Sequence, residues 1–300
     1  MKVLLIPLDY HRHTEDDMLF GDMLRAFQKQ SEAIMYDGNT DNAISFKPDV
    51  IFFQGSVSVD DLQKIKSATG CKITMWTGDT RYAPQQSLMD YRNVIDIYLL
   101  PFSGETSNNF SKMLNKPCQF IFEPIQDWRF VPPKEMSDGR IVFVGNHYET
   151  APAGETRTEI INFLKQHTAN FEAYGSIANS NGSINYTLVP QLYNDSFIVI
   201  AENNWHDIED YFTPRNLTAM SAGSCCLMRR FDGIEKHFSN FENCFFYRHK
   251  YELLDIVCFL KNNPSYRNAI AHKAYATAKE KYSLDVWVGD FIKITSSLIC

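Results

Sequence analysis

Asp79 stands one glycine beyond the apolar run Lys72–Thr77, in the segment Gly78-Asp79-Thr80-Arg81-Tyr82. A carboxylate at the carboxyl end of a buried strand faces the crevice where α/β sheets take their ligands. There it can accept a proton from a hydroxyl. The same position also suits a turn residue or a helix N-cap. Glu15 precedes an apolar helix and offers a second carboxylate, although the helix dipole favours an acid at that place in any case. Arginines mark the other half of the chain. Arg157 follows Gly145-Asn146 and a loop of small residues, where a helix is expected to begin. Unpaired N–H groups and a guanidinium there suit a phosphate. An ordinary strand–helix turn with a surface arginine has the same appearance. Arg215 falls in the first turn of a helix opened by Pro214. A cation at that end opposes the dipole, a conflict that a bound anion would resolve. A plain surface arginine remains the alternative.

The elements that must position these groups alternate regularly. In the first half, strands are expected at Lys2–Leu8, Ala33–Tyr36, Val50–Phe53, Lys72–Thr77, Asp96–Leu100 and Phe120–Phe122. Helices are expected at Asp16–Gln30, from its apolar spacing, and at Ser58–Ala68, behind a weak capping box. The stretch 124–140 holds Pro124, Pro132, Pro133 and Gly139 and reads as a linker. A second series follows. Its strands are Ile141–Val144, Phe171–Tyr174, Phe197–Ala201 and Cys225–Met228. Its helices are Arg157–Gln166, Arg215–Ala222, Tyr251–Asn262 and Ser265–Tyr282. Near-continuous apolar strands alternating with helices imply parallel sheets covered on both faces. The expected domains are 1–123 and 141–283, with 284–300 (Trp287 and Phe291 included) a helix returning to the first domain.

Composition narrows the function. The chain has 300 residues, 44% hydrophobic and 22% charged, which is enough apolar material for two cores. The formal net charge is −7, with −5 in residues 1–138 and −2 in 139–300, so no overall basic surface awaits nucleic acid. A local stripe of Arg12, His13, Arg81, Arg92 and Arg129 could line a duplex groove or be a solvated face. Tyr10, Tyr82 and Trp128 could stack on a base or a sugar. Seven cysteines without C-x-x-C spacing suggest free thiols in a reducing cytoplasm. No apolar run is long enough to span a bilayer, and the short apolar start lacks a cleavage site. The sequence has no G-x-G-x-x-G after the first strand, no P-loop, no G-x-S-x-G and no H-E-x-x-H.

The run from Tyr211 to Tyr282 resembles the C-terminal domain of GT-B glycosyltransferases. The matching features are the helix Arg215–Gly223, the turn Phe231-Asp232-Gly233-Ile234-Glu235, the strand Asn243–Tyr247, Glu252-Leu253, Asn263-Pro264-Ser265-Tyr266-Arg267 and a final helix. Upstream, Phe143-Val144-Gly145-Asn146, Ala173-Tyr174-Gly175 and Pro190-Gln191-Leu192-Tyr193 are similar to further family segments. The resemblance implies two Rossmann-like domains facing across a cleft and transfer of a hexose, glucose from UDP-glucose, to a hydroxyl acceptor. It implies donor contacts from Gly145, Asn146, Arg157, Tyr174, Gly175, Val189, Pro190, Arg215 and Thr218. Where the family carries a glutamate for the nucleotide ribose, this chain has Thr218. Two branches are similar. One is the spore-maturation type, acting on glycans. The other is the phage DNA β-glucosyltransferase type, acting on 5-hydroxymethylcytosine and closer in the N-terminal half. The leading expectation is the second, with a 5-hydroxymethylpyrimidine base of double-stranded phage-type DNA as acceptor. Its matching aspartate makes Asp79 the expected base of an inverting reaction with Glu15 beside it, although the spore-type branch carries an aspartate after the same strand too. Arg81, Tyr82, His13 and Trp128 are the expected acceptor contacts. A non-catalytic nucleotide-binding scaffold is the alternative from another class. No tightly bound cofactor is expected. The absence of a D-x-D motif points away from an obligatory metal and leaves room for a loosely held Mg²⁺. The chain is expected to be a monomer or weak dimer in the cytoplasm, that of a bacterial host if phage-encoded.

Overall fold

The computed structural model describes residues 1–8, 19–55, 57–78, 81–146, 157–177, 180–203 and 205–299. Asp79, Glu15, His13, Arg12 and Tyr10 lie outside them. The chain forms two compact units, one of residues 1–126 with 284–300, the other of 127–283.

Unit 1 holds strands β1 (Lys2–Ile6), β2 (Glu32–Met35), β3 (Val50–Phe53), β4 (Lys72–Trp76), β5 (Ile97–Leu100) and β6 (Cys118–Phe120). All pair in parallel, in the order β2-β1-β3-β4-β5-β6. The last strand ends two residues before the expected Phe122. Between them run α1 (Phe20–Gln30), α2 (Thr40–Phe46), α3 (Val59–Thr69), α4 (Gln86–Asp90) and α5 (Gly104–Leu114). Every residue of β3 and β5 is buried, as a sheet covered on both faces requires. The Ser58 side chain accepts from the Asp61 N–H at 3.0 Å and so caps α3.

Unit 2 holds β7 (Ile141–Val144), β8 (Phe171–Tyr174), β9 (Ile198–Ala201), β10 (Cys225–Arg229) and β11 (Phe245–Tyr247), parallel in the order β11-β10-β9-β7-β8. Its helices are α6 (Arg157–His167), α7 (Val189–Asn194), α8 (Pro214–Ser221), α9 (Ile234–His237), α10 (Lys250–Asn262) and α11 (Pro264–Lys281). Residues read as linker contribute to this unit. The Val131 N–H donates to the Ser221 carbonyl at 3.0 Å, and Asn194 Nδ2 donates to the Pro132 carbonyl at 2.9 Å.

The last helix, α12 (Leu284–Ile299), belongs to unit 1. Trp287 and Phe291 are fully buried there. Their rings stand 6.2 and 5.1 Å from Phe27, and both lie 5.5 Å from Phe52. Trp287 also meets Trp76 at 5.8 Å. Among the described residues no helix is long and apolar enough to cross a membrane.

Candidate active site

Each sheet reverses its strand order once beside its first strand, and ligands of open α/β sheets bind beyond the carboxyl strand ends at such a reversal. In unit 2 the reversal lies between β7 and β9. β7 runs into Gly145, whose N–H donates to the Tyr174 carbonyl at 2.9 Å. Gly175 has φ +114°, and a Cβ there would collide with the Gly145 carbonyl. The strand ends therefore approach too closely for a side chain at Gly175, while a Cβ on Gly145 would run into the Phe143 ring. Asn146 fastens them, its Oδ1 accepting from the Ser176 N–H at 2.9 Å.

Two guanidiniums converge on this junction. Arg157, the first residue of α6, is 7% exposed. It donates from Nη1 to the Asn146 carbonyl at 2.5 Å and from Nη2 to the Glu202 carbonyl at 3.0 Å. Its Cζ lies 5.9 Å from the Phe143 ring centroid. Arg215, half-buried on α8, donates from Nε to the Val144 carbonyl at 2.7 Å and from Nη1 to the Glu202 carbonyl at 2.6 Å. A single carbonyl oxygen thus holds both cations side by side. The expected conflict between Arg215 and the dipole of α8 is met by main-chain oxygens, so no anion is needed to hold the side chain. Its Nη2 lies over Gly145, 3.2 Å from where a Cβ would stand. The start of α8 is pinned beside it. Asn216 Oδ1 accepts from the Thr213 N–H at 3.0 Å, and Asn216 Nδ2 donates to the Ala201 carbonyl at 2.9 Å.

Glu202, absent from the sequence reading, anchors this arrangement. Its carboxylate is 1% exposed, and Oε1 accepts from Arg229 Nη1 at 3.0 Å. Burial raises its pKa, while Arg229 and then Arg157 pull it down. His206 Nε2 stands 4.0 Å from Oε1. Burial, with Arg229 and Arg157 nearby, lowers the His206 pKa to about 3. No motif marks Glu202. Only its position directly after an all-apolar strand hints at a role.

Thr218 is buried and accepts from Arg129 Nη1 at 2.8 Å. Arg129 is itself 8% exposed, so it joins no solvated stripe with Arg81 and Arg92. It stands over Trp128 and Tyr186, 5.0 and 4.6 Å from their ring centroids. Trp128 therefore belongs to unit 2, whereas Arg81 and Tyr82 belong to unit 1. Tyr174 donates its hydroxyl to Glu172 Oε2 at 2.8 Å, and that bond chiefly raises its pKa. Val189 and Pro190 begin α7, directly after Tyr186–Leu188.

In unit 1 the reversal between β1 and β3 opens into a cavity of about 620 Å³. Leu8, Gln54 and Gly55 reach it from the ends of β1 and β3, and Trp76, Thr77 and Gly78 from the end of β4. Arg81 lines it too. With the Gln85 amide turned so that its oxygen faces Arg81, that oxygen accepts from the guanidinium. Gly78 and Arg81, which flank Asp79, are thus both cavity residues. Glu123, assigned no role from the sequence, sits on the same wall, and its Oε1 would touch a Cβ placed on Gly78. Tyr82 is 47% exposed. Among the described residues no group of three or more His, Cys, Asp or Glu side chains is arranged to hold a metal ion.

A family model described as "Glycosyl transferase-like" matches residues 134–293. No curated protein matches the chain. Among solved structures, HepE of Anabaena in complex with UDP-glucose aligns over 99% of this chain and 100% of its own, at 12% identity and TM-score 0.62. A glycosyltransferase of Rickettsia africae aligns over 99% and 98%, at 11% identity and TM-score 0.62. Sucrose-phosphate synthase of Thermosynechococcus elongatus aligns over 99% and 98%, at 8% identity and TM-score 0.65. At these identities the likeness is one of fold, and the fold is GT-B.

Proposed function

The chain belongs to the glycosyl transferase-like family, and from that premise we propose that it moves a hexose from a UDP-sugar, UDP-glucose first, to a hydroxyl acceptor. The observation that carries this reading is the pair Arg157 and Arg215, both held by the Glu202 carbonyl at the strand reversal of unit 2. Two fixed cations beside the N-termini of α6 and α8 suit the diphosphate of such a donor. In the reaction Asp79 takes the proton of the acceptor hydroxyl as its oxygen attacks the anomeric carbon. The bond from that carbon to the diphosphate breaks, and the electron pair leaves on the UDP, whose growing charge the arginines meet. Attack from the face opposite the leaving group inverts the centre. Support for Asp79 comes from its neighbours Gly78 and Arg81, both on the unit 1 cavity.

The cavity also bears on the acceptor. Leu8, Leu19, Leu88 and Phe110 make much of its lining apolar, and Arg81 is the one cation among its described residues. A duplex is gripped through several phosphates. The lining suits instead a glycan or small molecule carrying a hydroxyl on a partly apolar body. Labelled sugar transfer from UDP-glucose onto oligosaccharides, glycolipid-like alcohols, hydroxymethylated duplex and plain duplex tests this. Label in the first two supports the reading. Label confined to hydroxymethylated duplex replaces the acceptor with the 5-hydroxymethylcytosine of the phage-type resemblance. Tight UDP binding without transfer or donor hydrolysis would leave a nucleotide-binding scaffold.

A further inference from the structure

β9 and β10 pair with Ala201 opposite Met228, so the next residues, Glu202 and Arg229, stand side by side at the carboxyl ends of the two strands. Their side chains join there, Arg229 Nη1 donating to Glu202 Oε1 at 3.0 Å. The Glu202 side chain is 2% exposed and that of Arg229 12%. Against an apolar pair of the same volume, a buried ion pair adds little stability. What this one supplies is a tether. Glu202 also carries the carbonyl that accepts from Arg157 Nη2 and Arg215 Nη1. The residue is held by β9 at one end and by Arg229 at its side chain, and its peptide oxygen is directed accordingly. Arg215 makes a second bond, from Nε to the Val144 carbonyl at 2.7 Å. A planar guanidinium fixed at two nitrogens has its third one aimed. That third nitrogen, Nη2, has no hydrogen-bond partner among the described residues, and the side chain that carries it is only half-buried.

We infer that Glu202 is a positioning residue: tethered by Arg229, it holds its own carbonyl so that Arg215 presents Nη2 to the diphosphate of the UDP-sugar, with Arg157 beside it. The inference rests on the reading of unit 2 as a nucleotide-sugar site. Charge alone argues in the opposite direction, because a carboxylate beside two arginines weakens their attraction for an anion. The sign of one substitution therefore separates the two roles.

The whole chain is titrated with UDP in a calorimeter, and uridine is measured by its displacement of UDP. Glu202→Gln keeps the shape of the side chain and removes its charge. It should bind UDP roughly tenfold more weakly than the unmodified protein, with uridine unchanged, as expected when a bond from a charged group loses its alignment. Arg229→Met should lower the preference for UDP over uridine in the same way, and Arg229→Lys, which keeps the ion pair, should restore most of it. The double variant Glu202→Gln/Arg229→Met should fall no further than Arg229→Met alone, since the two residues act as one unit. A merely structural defect would weaken UDP and uridine together and leave the preference standing. The inference is overturned if Glu202→Gln binds UDP as tightly as the unmodified protein or more tightly, or if it keeps the full preference. Should Arg229→Met not fold, Glu202→Gln and Arg229→Lys still decide. A different result, no UDP binding by the unmodified protein, overturns the nucleotide reading itself.

Discussion

The two strand reversals of the chain differ in the side chains that line their described residues. In unit 2, Arg157 and Arg215 lie on the carbonyls of Val144, Asn146 and Glu202. The reversal of unit 1 opens into a space of about 620 Å³, whose described lining is partly apolar and carries Arg81 and Glu123. A guanidinium tied to main-chain oxygens cannot follow a ligand of changing shape. Such a pair fits a part of the reaction that stays the same from turnover to turnover, namely a diphosphate. A hollow with mixed walls fits the part that differs among related enzymes, namely the acceptor. On the proposed function, unit 2 would hold the unchanging diphosphate and unit 1 would choose the acceptor.

Four experiments break or sharpen this contrast. Asp79→Asn should lower sugar transfer roughly 100- to 10,000-fold, the usual worth of a general base. UDP affinity by calorimetry should stay unchanged. Retained turnover would remove Asp79 from the role and make Glu123 the next carboxylate to test. Trp287→Ala removes a fully buried ring from behind the cavity residue Trp76 and should cost about 3–5 kcal/mol in urea unfolding. A loss below ~1 kcal/mol would mean that α12 is not needed to shape the hollow. Arg215→Ala, in unit 2, should weaken UDP roughly tenfold to hundredfold in calorimetry, as expected for bonds from a charged group. Unchanged affinity would leave Arg215 as a strut between β7 and β9.

The smallest effect concerns acid. Folding lowers the His206 pKa from 6.5 to about 3, so the unfolded chain binds its proton first. The stability this group provides is complete above pH 6.5 and falls as pH drops from 6.5 towards 3, by up to ~1.4 kcal/mol per pH unit. The raised carboxyl of Glu202 acts in the opposite sense. Urea midpoints between pH 7 and 5 should therefore decline less steeply in His206→Gln than in the unmodified protein. Identical slopes would show that His206 is not held neutral beside Glu202.

Strand positions were legible because parallel strands buried on both faces are continuously apolar, as in Val50–Phe53 and Ile198–Ala201. Helix α5 was not, because Thr106, Ser107, Asn108 and Asn109 in its first two turns mask the stripe that Phe110 and Leu114 bury. Gly145, Gly175, Arg157 and Arg215 could be picked out by type and place, and the structure brings them to one junction. What holds the arginines could not be foreseen. Their partners are carbonyl oxygens, which every residue carries and no sequence advertises. Glu202 and the pairing of Arg129 with Thr218 escaped for a related reason. The first acts through its main chain, and the second joins residues 89 positions apart.

Because α12 completes the core of unit 1, synthesis order and structural order diverge. A ribosome delivers residues 1–126 long before Trp287 and Phe291 emerge to cover Phe27 and Phe52. The nascent first unit must wait with part of its interior open, while residues 127–283 can settle as soon as they leave the exit tunnel. Any product released early would keep that greasy face uncovered, a natural handle for chaperones and proteases.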